Sequence, residues 1–176
     1  MDIDLLVKLT ARAWSLAILA QMDRGVRGRQ ASLIAATGAG RTAFRQSLDH
    51  LIDLGLIERN PGYGHPLRSE YRLTASGAEL ARTANRIEAL VHGPAEQRLL
   101  RRAWSLPVLE ASREPHYFGE IKMRLPTITD RALSQSLKLL EARRWLRREV
   151  DTASWPARAK YRAANTGAEI SRTLGT

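Results

Sequence analysis

Two stretches of this chain set polar side chains opposite a helical apolar stripe. In residues 41–54, Phe44, Leu48, Leu51 and Ile52 recur at helical spacing, which turns Arg41, Thr42, Arg45 and Gln46 outward. In residues 130–143, Leu133, Leu137 and Leu140 point inward, and Arg131, Ser134, Gln135 and Lys138 form the outward set. Arginine can donate a bidentate pair to O6 and N7 of guanine, and glutamine can match N6 and N7 of adenine. The plainer reading of such positions is a solvated helix face. The charge and the element order around them favour contact with bases and phosphates.

Other chemistry finds little support. Gly38-Ala39-Gly40-Arg41-Thr42 has a superficial likeness to a phosphate loop, but it lacks the lysine and has the wrong spacing. His50, His65, His92 and His116 show no metal-ligand spacing. No Ser or Asp lies in a recognisable nucleophile context. The absence of cysteine excludes disulfides, thiolate zinc sites and thiol redox sensing. The chain therefore reads as a non-enzyme, with no catalytic residue, metal or cofactor expected.

The charge points to a polyanion. There are 28 Lys and Arg against 18 Asp and Glu, a net charge of +10, and only Lys8, Lys122, Lys138 and Lys160 are lysine. The guanidinium fork suits phosphate and guanine edges, so nucleic acid is the first partner expected and an anionic membrane surface the second. No apolar run reaches the length of a membrane span. Asp2 and Asp4 precede the first apolar stretch, the reverse of a secretory leader, so a cytoplasmic, nucleoid-associated protein is expected.

The chain also repeats itself. Arg12-Ala13-Trp14-Ser15-Leu16 recurs as Arg102-Ala103-Trp104-Ser105-Leu106, and Pro66 to Tyr71 matches Pro156 to Tyr161, both at an offset of 90. Gly77-Ala78-Glu79 recurs as Gly167-Ala168-Glu169. Between these anchors the offset slips to 89, with Gln46-Ser47-Leu48 matching Gln135-Ser136-Leu137. The breaker pair Gly93-Pro94 sets the expected boundary, giving domains over 1–92 and 93–176. The halves differ in charge: residues 1–90 hold 12 basic and 9 acidic residues, net +3, and residues 91–176 hold 16 and 9, net +7. Phosphate attraction should be stronger in the second half, where Arg143-Arg144 and Arg147-Arg148 supply much of it.

Within one repeat, the pattern predicts a helix over 3–22, a helix over 30–36, a turn at Thr37-Gly38-Ala39-Gly40 and a helix over 41–54. Gly55 suits a left-handed cap. Strands at 56–59 and 69–73 flank the turn-rich Asn60-Pro61-Gly62-Tyr63-Gly64, and Thr74 or Ser76 can cap a last helix to about Val91. The second half predicts helices near 95–113, 118–124 and 130–143, strands near 146–150 and 158–163, and a shorter final helix. Helix-turn-helix followed by a β-hairpin is a winged helix. The expected fold class is mainly α with small β-hairpin wings: two tandem winged helix-turn-helix domains forming a pseudo-two-fold unit.

With these residues in view, the chain resembles the HxlR-type winged-helix transcriptional regulators of the wider MarR-like group. Trp104-Ser105-Leu106-Pro107-Val108-Leu109 is similar to the family's opening helix, Phe118-Gly119-Glu120-Ile121 to its second helix, and Ile128 to Leu140 to its recognition helix. Pro156 to Tyr161 is similar to the wing return. In the first half the likeness lies in Gly55 to Arg59, Pro66 to Thr74, and Gly77. The resemblance implies double-stranded DNA as partner and sequence-specific regulation of transcription. Family members usually carry one winged helix per chain and dimerise, so two in one chain imply an intramolecular pseudo-dimer. Arg144 stands where the first half has Gly55, and Ala163-Ala164 replaces Leu73-Thr74. The wings carry His65, Arg68 and Arg72 in the first half and Arg158, Lys160 and Arg162 in the second. Arginines at wing tips lie along phosphates or in the minor groove, while Arg72 and Arg162 sit near strand ends where a structural role is equally open.

Trp14 and Trp104 are expected to pack the first helix against the recognition helix or the other repeat, and Trp155 to pack under its wing. Two recognition helices about 34 Å apart would let one chain span two related, unequal half-sites. Further association into a homodimer and a small-molecule effector are both left open. The rival readings are a tandem winged-helix scaffold that binds protein, against which the +10 charge argues, and a plasmid or phage replication initiator.

Overall fold

A computed structural model describes residues 1–60, 70–152 and 155–175. The chain forms two compact units, one of residues 9–89 and one of residues 1–8 with 90–176. They are called here the N-terminal and C-terminal units.

In the N-terminal unit, α2 (Ser15–Asp23), α3 (Gln30–Thr37) and α4 (Arg41–Asp53) precede the antiparallel pair β1 (Ile57–Asn60) and β2 (Glu70–Leu73), and α5 (Ala75–Ala89) follows. The helix α1 (Ile3–Thr10) runs across the division between the units. Leu16 to Ala20 of α2 are buried, and so are Ala81, Ala84 and Ile87 of α5. Alanines on α5 let the two backbones approach closely. A polar clasp closes the end of this pair: Arg24 donates to Asn85 at 2.7 Å and pairs with Glu88 at 3.3 Å, while Asn85 donates to Asp23 at 2.7 Å. Phe44, Leu48 and Leu51 of α4 fill the core, and Ile52 is only half-buried.

The C-terminal unit repeats the order with α6 (Pro94–Leu100), α7 (Ser105–Ala111), β3 (His116–Tyr117), α8 (Phe118–Arg124), α9 (Asp130–Ala142), β4 (Leu146–Asp151), β5 (Arg158–Ala163) and α10 (Thr166–Leu174). Its sheet runs β3-β5-β4, all antiparallel. Here Arg113 ties α7 to α10, donating to Glu110 at 2.7 Å and to the Ser171 carbonyl at 3.0 Å. The Met1 nitrogen donates to the Leu174 carbonyl, holding the first residues within this unit.

The fold class is a tandem winged helix, as expected. Its helices are shorter than the apolar pattern suggests. The predicted helices 3–22 and 95–113 are each broken, at residues 11–14 and 101–104. The repeated Arg-Ala-Trp-Ser-Leu motif is the connector. Trp14 and Trp104 stand at the N-caps of α2 and α7, with ψ near 0° (0° and −2°), and the Ser15 and Ser105 amides turn back to the Arg12 and Arg102 carbonyls. Apolar spacing survives a one-turn interruption, which is why periodicity alone ran the helices together. Both indoles are half-buried, and the Trp14 amide donates to the Ser47 hydroxyl of α4 at 3.3 Å. The tryptophan sealed in the core is Trp145, 1% exposed.

The helix-to-strand corner is built twice with different chemistry. Gly55 ends α4 with φ 69°, and Thr74 donates its hydroxyl to the Gly55 carbonyl at 2.7 Å and accepts the Gly77 amide at 3.1 Å. In the second unit Arg144 takes the left-handed conformation at φ 58°, and the Asn165 amide group donates to the Arg144 carbonyl at 2.8 Å. At both corners a glycine lies under a carbonyl. A Cβ on Gly77 would sit 1.8 Å from the Leu56 oxygen, and one on Gly167 2.1 Å from the Trp145 oxygen.

Candidate nucleic-acid interface

The turn between α3 and α4 starts with Gly38 in the left-handed region at φ 70°, as its place after α3 requires. Thr37 donates to the Leu33 carbonyl at 2.7 Å and accepts the Ala39 amide at 3.4 Å. Burial of Phe44, Ser47, Leu48 and Leu51 then fixes the rotation of α4, and Arg41, Thr42, Arg45 and Gln46 all face solvent. Arg45 pairs with Asp49 at 3.6 Å along this exposed face. An exposed pair of this length is weak and can exchange for a ligand.

The second turn is held by side chains. Thr129 caps α9, accepting the Ala132 amide at 3.2 Å, and Lys122 of α8 reaches the Ile128 carbonyl and pairs with Asp130 at 2.9 Å. Leu133, Leu137 and Leu140 are buried, and Arg131, Ser134, Gln135 and Lys138 are exposed. Ser134, Lys138 and Arg148 share the lining of one open hollow of about 170 Å³, so β4 adds a basic residue beside this helix.

The wing of the C-terminal unit is tied at its base. Tyr117 of β3 donates its hydroxyl to Asp151, the last residue of β4. Lys160 of β5 pairs with Asp151 at 3.0 Å, and its nitrogen lies 4.9 Å from the Tyr117 ring centre. The guanidinium of Arg158 lies over the same ring at 4.1 Å. The Asp151 hydrogen bond holds the Lys160 ammonium above its ordinary pKa, with the Tyr117 hydroxyl adding to it. Lys160 thus shares its half-exposed charge with Asp151, whereas Arg158 stays exposed. Sequence reading missed β3 and with it this brace, because a two-residue strand leaves no alternation to detect.

Arg72 pairs across the strands with Glu58 at 2.7 Å, a structural role, and Arg162 is exposed on β5. His65 and Arg68 lie outside the described residues. Trp155, expected to pack under its wing, is instead 98% exposed. Asp151 and Arg158 form the last pair of the β4–β5 ladder before it.

The arrangement in each unit is a helix-turn-helix whose second helix has an exposed polar face, followed by an antiparallel strand pair. The model of the HxlR-like helix-turn-helix family matches residues 9–98 and again 99–176. The chain belongs to the HxlR-like helix-turn-helix family. Curated proteins that it matches are named HTH-type transcriptional regulators. Similar curated proteins include an uncharacterized HTH-type transcriptional regulator of Mycobacterium tuberculosis (strain CDC 1551 / Oshkosh), 38% identical over 74 residues, and one of Mycobacterium bovis (strain ATCC BAA-935 / AF2122/97), 36% identical over 74 residues. Each match covers 42% of this chain and 46% of the relative, so the chain spans less than half the length of these relatives. Among solved structures, the chain is similar to a putative MarR-family transcriptional regulator from Porphyromonas gingivalis W83, with TM-score 0.41 and 20% identity over 44% of this chain and 76% of that one. It is also similar to the reduced form of the transcriptional regulator YodB from B. subtilis, with TM-score 0.42 and 22% identity over 48% and 86%. No helix among the described residues of this HxlR-like chain is long and apolar enough to cross a membrane.

Proposed function

We propose that this HxlR-like chain is a sequence-specific regulator of transcription that binds double-stranded DNA through two recognition helices, α4 and α9, and their wings. The observation that carries the reading is the paired exposure of Arg41, Thr42, Arg45 and Gln46 on α4 and Arg131, Ser134, Gln135 and Lys138 on α9. Each set follows the turn of its own helix-turn-helix on a chain of net charge +10. Residues at the start of a recognition helix reach base edges in the major groove, and Arg and Gln carry the donors and acceptors that discriminate there. Because the two sets differ, the half-sites should be related and unequal.

The test is selection of bound duplexes from a random library at about 150 mM salt, beside poly(dI-dC), since non-specific attraction is screened there. Two unequal enriched half-sites support reading by both helices. One enriched half-site restricts reading to one unit. Salt-sensitive binding without enrichment, or no binding, overturns sequence-specific regulation, and the second outcome leaves a protein-binding scaffold as the working alternative.

A further inference from the structure

We propose that Trp155 is a stacking side chain that the C-terminal wing presses against the bases of duplex DNA from the minor groove. The inference rests on the DNA-binding reading above and adds to it a contact made through an aromatic face.

Three observations carry it. First, the indole is 98% exposed at the hairpin tip, while Trp145 of the same unit is sealed in the core. A large aromatic held in water has its whole surface available for burial on binding. Second, the surroundings are basic. Residues 146–163 hold five Arg and Lys against two acidic residues, and Arg147, Arg148, Arg158 and Arg162 are all exposed. An apolar protein patch would have to strip water from these cations. A phosphate backbone pairs with them while the indole meets bases. Third, the hairpin is braced below its tip by Tyr117, Asp151, Lys160 and Arg158. The strands on either side of Trp155 therefore lose little freedom on docking. Apolar wedges set among basic residues are the means by which minor-groove binders partly unstack a base step.

The experiment uses the full chain, Trp155→Phe, Trp155→Ala and sonicated mixed-sequence duplex at low salt. Duplex binding is followed by anisotropy of a dye on the DNA, which needs no tryptophan. The Trp155 signal is the emission difference between the wild type and Trp155→Phe. The expected result is quenching of that difference by duplex and its protection from acrylamide, with distamycin, a minor-groove occupant, reversing both. Trp155→Ala should bind on the order of 5- to 150-fold more weakly, the range that loss of one base–aromatic stack gives, and Trp155→Phe should recover most of it. Because the side chain is exposed, both variants should keep the wild-type melting temperature. Duplex binding with the Trp155 signal unchanged overturns the inference and leaves the DNA-binding reading standing. A Trp155 signal already shielded in the free chain and released on dilution overturns it in favour of a second copy of the chain. Absence of duplex binding by anisotropy overturns both readings.

Discussion

Asn165 donates its side-chain amide to the carbonyl of Arg144 at 2.8 Å, and both residues lie at positive φ, 48° and 58°. The second repeat thus holds with a hydrogen bond a corner that the first makes with Gly55 and Thr74. Left-handed backbone costs a residue with a Cβ about 1 kcal/mol relative to glycine. Arg144→Gly should therefore stabilise the chain by about 0.5–1 kcal/mol. Asn165→Ala should destabilise it by about 1 kcal/mol, the size of one lost hydrogen bond. Urea melts of both variants check the pair, and an unchanged Arg144→Gly would mean the corner carries no strain.

Ser15 and Ser105 hold the same place in the two repeats and should answer mutation differently. The Ser105 hydroxyl donates to the Leu99 carbonyl at 2.6 Å, whereas the buried Ser15 hydroxyl has no hydrogen-bond partner among the described residues. Ser105→Ala should cost about 1 kcal/mol, and Ser15→Ala should be neutral or stabilising, because it removes an unsatisfied buried group. Thermal melts that rank the two the other way would refute the contrast.

On DNA, Arg45 and Lys138 should behave unlike one another. Arg45→Ala should weaken binding to the selected duplex by about 1–3 kcal/mol and relax one position of the site. Lys138 shares a hollow with Ser134 and Arg148 and should act on phosphate. Lys138→Ala should weaken all sequences alike and reduce the salt slope by about 1. Binding arrays of single-base variants across a salt series separate the two patterns.

The Lys160–Asp151 pair gives a pH dependence whose sign is set by the raised pKa of the lysine. A group raised on folding contributes stability that is complete below its unfolded pKa and lost as pH climbs through the folded one. Lys160 ordinarily titrates at 10.5. The melting difference between the wild type and Lys160→Met should be constant from about pH 6 to 9 and shrink only above about 10.5, a small effect in all cases because the pair is solvent-screened. A difference that fades below pH 9 would remove the pair as its source.

The residue order alone determined the duplication, the winged-helix class and the rotation of α4 and α9. Repeated anchors such as Trp14-Ser15-Leu16 and Trp104-Ser105-Leu106 persist in order, and burying Phe44 or Leu133 leaves α4 and α9 only one way to turn. Helix continuity was not legible, because 3.6-residue spacing passes unbroken through the turns at 11–14 and 101–104. At the first break the Trp14 amide, freed from the helix ladder, donates to the Ser47 hydroxyl of α4, a partner 33 positions away. The brace of Tyr117, Asp151 and Lys160 joins residues 34 and 43 positions apart from Tyr117, a separation no local pattern encodes. The same holds for the tryptophans: composition counts four, and only packing decides that Trp145 is sealed while Trp155 stands in water, because burial depends on what the rest of the chain brings around each ring.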